Sequence, residues 1–139
     1  MRPANLFLLT TDKSLVQVVR EAAEAASPPL DLTVFDITTD ALATLVDPNR
    51  FKPEMVFVDV ATIPDGTRFI DFIKSSGPTR ELPIVTVVDE PKSLPAVFSQ
   101  RVGATALLKK PAVANAVTET FERLRTSGCR GNATLRAAH

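Results

Sequence analysis

Apolar residues along this chain come in short unbroken runs, with stripes at helical spacing between them. Leu6-Phe7-Leu8-Leu9 is the first run, read as a short buried strand. Behind Thr10-Thr11-Asp12-Lys13-Ser14, the residues Leu15, Val18, Val19, Ala22 and Ala26 form one face of a helix. Asp12 or Ser14 is its expected N-cap, and Ser27-Pro28-Pro29 its stop. Leu32 to Ile37 alternates apolar and polar, as a less buried strand does. Thr39 and Asp40 are placed to cap a short helix carrying Ala41, Leu42, Leu45 and Val46, ending at Asp47-Pro48-Asn49. Met55-Val56-Phe57-Val58 then predicts a strand buried on both faces, and it stops at a carboxylate, Asp59.

The second half repeats the alternation. Val60 to Gly66 is turn chemistry. Thr67 to Ser76 predicts a helix with Phe69, Ile70 and Ile73 inward, stopped by Gly77-Pro78. Leu82 to Val88 is a fourth strand, with Pro83 near its start, where a missing N–H costs least. A weak helix is expected over Ser93 to Arg101, ended by Gly103, and a fifth strand over Ala104 to Leu108. After Lys109-Lys110-Pro111, a last helix over Ala112 to Arg125 has Val113, Val117, Phe121 and Leu124 inward. Five strand–helix alternations argue an α/β fold: a five-stranded parallel sheet with helices on both faces. Right-handed crossovers bring the strand ends to one edge, where Thr10, Thr11, Asp59, Val88 and Lys110 meet. Ligands of open α/β sheets bind beyond the carboxyl ends of the strands. Asp59 is therefore a candidate functional acid, although aspartate also commonly ends a strand and opens a turn.

Composition narrows the function classes. At 139 residues the chain is one domain of ordinary size, expected over residues 1–127 with a disordered tail over 128–139. Lys+Arg and Asp+Glu both number 16, so no basic footprint for nucleic acid exists. Cys129 is the one cysteine, which leaves neither a disulfide framework nor a zinc site and fits a reducing compartment. The one histidine, His139, is the last residue. No run reads as a signal peptide or membrane span, so a soluble cytoplasmic protein is expected. Asn132-Ala133-Thr134 matches a glycosylation acceptor, which has no meaning in that compartment.

Met55-Val56-Phe57-Val58-Asp59, Pro64-Asp65-Gly66, Leu82-Pro83-Ile84-Val85 and Gly103 to Pro111 together resemble the receiver domain of two-component response regulators. The resemblance runs from Asn5 to about Arg125. It implies a flavodoxin-like, CheY-like (βα)5 fold with strand order 2-1-3-4-5. It implies that Asp59 accepts a phosphoryl group from a histidine kinase in a phosphorelay. It also implies that Lys110, followed by a cis Pro111, pairs with the acid or its phosphate. Phosphoryl transfer needs an in-line nucleophile and positive charge on the equatorial oxygens, and an ammonium on a flexible stem suits the second need.

The departures from the family pattern carry as much weight. Where the family has an acidic pair holding magnesium, this chain has Thr10 and Thr11. The remaining metal donors implied are Asp59, the backbone of Ala61, and Asp12, which comes one residue late and has helix capping as its plainer role. Val88 stands in place of the hydroxyl that senses phosphate, with Thr86 two residues back on the same side but deeper. Leu107 stands in place of the switch aromatic, and the loop from Asp59 to Gly66 is one residue short.

The expectation is therefore a degenerate, or pseudo-, receiver. It keeps the fold as a non-enzymatic interaction module with no cofactor, magnesium being doubtful, and Asp59 pairs permanently with Lys110. A working receiver phosphorylated at Asp59 is the alternative. A flavodoxin-like small-molecule module is a weaker one, since Thr10 to Ser14 has no glycine and the chain has neither Trp nor Tyr to stack on a flavin. An enzyme is disfavoured, because there is no nucleophile elbow or P-loop. The partner expected is a kinase or effector on the Ser93 to Arg125 face, and a homodimer is compatible with it. Val97, Phe98 and Leu107 are that face's candidate apolar contacts, with core packing as their commoner role, and Arg101, Lys109, Arg123 and Arg125 its basic ones, with a plain solvated surface as the favoured reading.

Overall fold

The computed structural model describes residues 4–50, 52–89 and 106–129. Five strands form: β1 (Asn5–Leu9), β2 (Asp31–Phe35), β3 (Met55–Asp59), β4 (Ile84–Val88) and β5 (Ala106–Lys109). They build one sheet in the order β2-β1-β3-β4-β5, every neighbouring pair parallel. Four helices lie among the described residues: α1 (Lys13–Ala25), α2 (Thr38–Val46), α3 (Gly66–Ser75) and α4 (Ala114–Cys129), with a 3-10 turn over Gly77–Thr79. The expected helix over Ser93 to Arg101, with Val97, Phe98 and Arg101, and the tail beyond Cys129 lie outside the described residues.

Alternation along each strand divides the core in two. Leu6, Leu8, Met55, Phe57, Val85, Val87 and Leu108 face one way and pack on Leu15, Val19 and Ala22 of α1 and Val117, Phe121 and Leu124 of α4. Phe7, Leu9, Val56, Val58 and Ile84 face the other way, on Ala41 and Leu45 of α2 and Phe69, Ile70 and Ile73 of α3. β3 and β4 are buried along their whole length, as strands at the centre of a parallel sheet are, and each carries one polar residue, Asp59 and Thr86, within that burial. β2, at the edge, is half-covered.

Local chemistry decides several boundaries differently from the sequence pattern. Asp12, not Ser14, caps α1: its Oδ1 accepts the N–H groups of Ser14 and Leu15 at 3.0 and 3.3 Å. β2 stops at Phe35, and Ile37 lies beyond it, 52% exposed. α2 starts at Thr38 without a side-chain cap, so Thr39 and Asp40 lie inside the helix rather than capping it. Val46, a turn-end neighbour of the inward Leu45, points to solvent. Val113 is exposed too, because α4 begins one residue after it and Val113 belongs to the connection rather than to the inward stripe. Gly66 opens α3 at a close approach: a Cβ there would stand 3.0 Å from Val58 Cγ1 and 3.2 Å from Val60 Cγ1.

Candidate functional site

Because all five strands are parallel, their carboxyl ends share one edge. β1 runs out into Thr10, β3 ends in Asp59, and β5 runs into Lys110. By alternation Thr10 and Lys110 continue the face of Leu8 and Leu108, and Asp59 continues that of Phe57. The three side chains are thereby set on the α1 and α4 side of the sheet and meet.

The Asp59 side chain is completely buried. Taking a carboxylate out of water is costly unless hydrogen bonds and opposite charge replace the lost solvent. Here four donors do so. Oδ2 accepts the Thr10 hydroxyl at 2.6 Å and the Thr62 hydroxyl at 3.0 Å, and lies 2.8 Å from Lys110 Nζ. Oδ1 accepts the Ala61 N–H at 3.1 Å.

The hydroxyls are themselves held. Thr10 Oγ1 accepts the N–H of Asp12 at 3.0 Å, and Thr62 Oγ1 accepts the N–H of Thr11 at 3.1 Å. The segment after β1 and the loop after β3 are thus laced together through two threonines. A second tie holds the far end of that loop, where the Thr38 hydroxyl donates to Asp65 Oδ2 at 2.7 Å.

Asp12 reaches the site despite its position. At the cap its backbone is extended, so while Oδ1 turns to the helix N–H groups, Oδ2 lies 2.8 Å from Lys110 Nζ. Lys110 therefore sits between two carboxylates, Asp12 and Asp59. Hydrogen bonding to Lys110 holds the Asp12 carboxyl below its ordinary range, against a smaller opposing effect of burial. Burial alone would lower the Lys110 pKa, but hydrogen bonds and charge from Asp12 and Asp59 outweigh it, and the net shift is upward. The Lys110–Pro111 peptide bond is cis.

The remaining sequence candidates fall elsewhere. Thr11 contributes its backbone, and its side chain is exposed. Val88 is buried on the opposite face of β4 from Val87, out of the Asp59 cluster. Thr86 lies beneath it, paired in register with Leu107, and its hydroxyl is fully buried with no hydrogen-bond partner among the described residues. Leu107 is 40% exposed on β5. Lys109 and Arg123 are exposed, whereas Arg125 is drawn away to Glu54 (2.8 Å) and the Pro28 carbonyl (2.7 Å) and does not add to a basic face there. No three acidic, histidine or cysteine side chains converge as a metal cluster among the described residues.

Thr62 and the Thr38–Asp65 tie were not evident from the sequence. The only local signal for Thr62 is its spacing, three residues beyond Asp59, which lets a threonine fold back on a turn-opening carboxylate.

The all-parallel sheet in the order 2-1-3-4-5, with a buried aspartate ending the third strand and a lysine after the fifth, is an α/β domain of the CheY-like, flavodoxin-like fold. Solved structures agree on the fold. The phosphorylated cyanobacterial phytochrome response regulator RcpA superposes with a TM-score of 0.73 at 17% identity, over 91% of this chain and 94% of that one. The chemotaxis response regulator CheY4 of Vibrio cholerae gives 0.72 at 20% identity, over 88% and 99%. NtrX from Brucella abortus, solved in complex with ADP, gives 0.75 at 25% identity, over 96% of this chain but 29% of that longer one. No protein-family model matches the sequence, and no curated protein does either.

Proposed function

We propose that this chain is an atypical receiver domain, a non-enzymatic signalling module that acts through protein–protein contacts and is not efficiently switched by magnesium-dependent phosphorylation. The observation that carries the reading is the complete burial of Asp59, whose Oδ2 is committed to three donors while Oδ1 takes the Ala61 N–H. A phosphoryl acceptor must offer an oxygen free for in-line attack and a cation to neutralise the transferred group. Oδ2 of Asp59 already takes three donors, and the side chain has no exposed surface.

The donor set does not fit magnesium, which demands hard, charged oxygens in octahedral order. At the two positions of the family's acidic pair, Thr10 is committed to Asp59 and Thr11 turns outward. Asp12 spends one oxygen on the α1 N-terminus and the other on Lys110. The Ala61 backbone would add one neutral oxygen. Two hydroxyls and an ammonium thus do from within the chain what a bound cation does elsewhere, and hold the site in one state. Val88 and Leu107 supply neither hydroxyl nor aromatic ring for a relay.

In this reading the protein is cytoplasmic and binds neither nucleic acid nor membrane; no described helix is long and apolar enough to cross one. Its domain spans 1–127, and a kinase or effector docks on the Ser93 to Arg125 face, where Leu107 and Lys109 are exposed.

A receiver phosphorylated at Asp59 by a histidine kinase is the second reading. It draws on the Lys110–Asp59 contact and on Asp12 as a carboxylate beside it. A titration with magnesium and beryllofluoride, followed by amide NMR, separates the two. No shifts around Asp59 and Lys110 at millimolar magnesium are expected. Saturable shifts there would establish the second reading.

A further inference from the structure

β2 closes the sheet at one edge and pairs, among the described residues, with β1 alone. Natural edge strands are blunted by lysines, prolines, bulges or covering loops, because their free backbone groups template pairing. Asp31-Leu32-Thr33-Val34-Phe35 has no Lys, Arg or Pro, and its register with β1 runs unbroken. Two hydrogen bonds fix which of its groups face outward. The Asp31 N–H donates to the Ala4 carbonyl at 2.7 Å, and the Phe35 carbonyl accepts the Thr10 N–H at 2.9 Å. The N–H and C=O of one strand residue point the same way, and direction alternates along the strand. Asp31, Thr33 and Phe35 therefore bond inward, while Leu32 and Val34 hold both groups out at the open edge. Val34 is also 37% exposed through its side chain.

We propose that β2 is a self-association edge: two copies of this chain pair antiparallel through it about a twofold axis at Thr33, making one continuous sheet. This register alone sets both outward residues of each copy opposite both of the other. Leu32 meets the partner's Val34 and Val34 the partner's Leu32, so each exposed valine is covered. Shifting the pairing by two residues one way brings Asp36 against the partner's Leu32. Shifting it the other way needs the Leu30 N–H, already given to the Ala23 carbonyl at 3.0 Å.

Charge agrees with the same register. Asp31 comes opposite the partner's Phe35, on the face where Phe35, Thr33, Thr44, Asn49 and Arg50 line a recess. Arg50 holds Asp47 only loosely, at 3.7 Å, with 62% of its side chain exposed, so the recess offers a cation to the incoming Asp31.

The full chain is tested by light scattering and by oxidative cross-linking in a Cys129→Ser background. Thr33→Cys is expected to give a disulfide-linked dimer, because the central non-hydrogen-bonded pair puts Cα atoms about 4.5 Å apart, within disulfide reach. Asp36→Cys is expected to give none, its two copies being about 20 Å apart along the strands. Val34→Lys is expected to convert the dimer to monomer, and Leu107→Lys to leave it intact. The proposal is overturned by an unmodified chain that stays monomeric while Thr33→Cys fails to cross-link. It is equally overturned by a dimer that survives Val34→Lys and falls apart with Leu107→Lys.

Discussion

Thr10 donates its hydroxyl to Asp59 at 2.6 Å, so a neutral side chain at the end of β1 lies directly against the buried carboxylate. The bond also leaves Thr10 Oγ1 free to accept the Asp12 N–H, which ties the end of β1 to the cap of α1. One residue thus stabilises the buried carboxylate and sets the path of the chain that delivers Asp12 to Lys110.

Thr10→Val keeps the shape and removes both bonds. Asp59 then loses one of its three Oδ2 donors, and the Asp12 N–H loses its acceptor. A destabilisation of about 1–3 kcal/mol is expected from the unpaired buried groups. Urea unfolding checks it; a change within error would mean that the hydroxyl contributes nothing to holding the site.

Asp59→Asn removes the charge and nearly preserves the shape. Lys110 keeps Asp12 at 2.8 Å, so the fold is expected to survive with a modest loss of stability. Partner binding should be unchanged, measured by titration calorimetry once a partner is in hand. Loss of signalling in cells with an intact fold would instead identify Asp59 as a phosphorylated residue.

The stability profile should carry two edges set by Asp12 and Lys110. Asp12 has its carboxyl pKa lowered by folding, so its contribution is present above the ordinary value of 3.8 and is lost as pH falls through the folded value. Lys110 has its pKa raised, so its contribution is complete below 10.5 and is lost as pH rises through the folded value. Denaturation midpoints measured across pH should show a plateau between these limits. Asp12→Asn should flatten the acid edge, and an unaltered edge would exclude Asp12 as its source.

Thr86 buries a hydroxyl with no partner among the described residues, between the apolar side chains of β3 and β5. Replacing it with valine removes a desolvated polar group from a matching shape. A gain of about 1 kcal/mol, or ~4 °C in melting temperature, is expected by calorimetry. A loss would show that the hydroxyl makes a bond worth more than its desolvation.

The sequence by itself determined the layers of this protein. Runs such as Met55 to Val58, and Ile84 to Val88 with its single Thr86, fit the centre of a parallel sheet, and the helical stripes between them set which faces cover it. Five parallel strands then oblige the ends of β1, β3 and β5 to share an edge, so the meeting of Thr10, Asp59 and Lys110 was legible from order and period alone. The tertiary structure decided what happens there. Whether Asp12 reaches Lys110 depends on the cap geometry at α1, and Thr62 joins Asp59 only because a loop bends back on itself. The outward path of Arg125 to Glu54 likewise depends on a neighbour 71 positions away in the chain. Periodicity records which face a side chain takes. It does not record the direction of a cap oxygen or the turn of a loop, because those follow from hydrogen bonds between segments that the chain holds far apart.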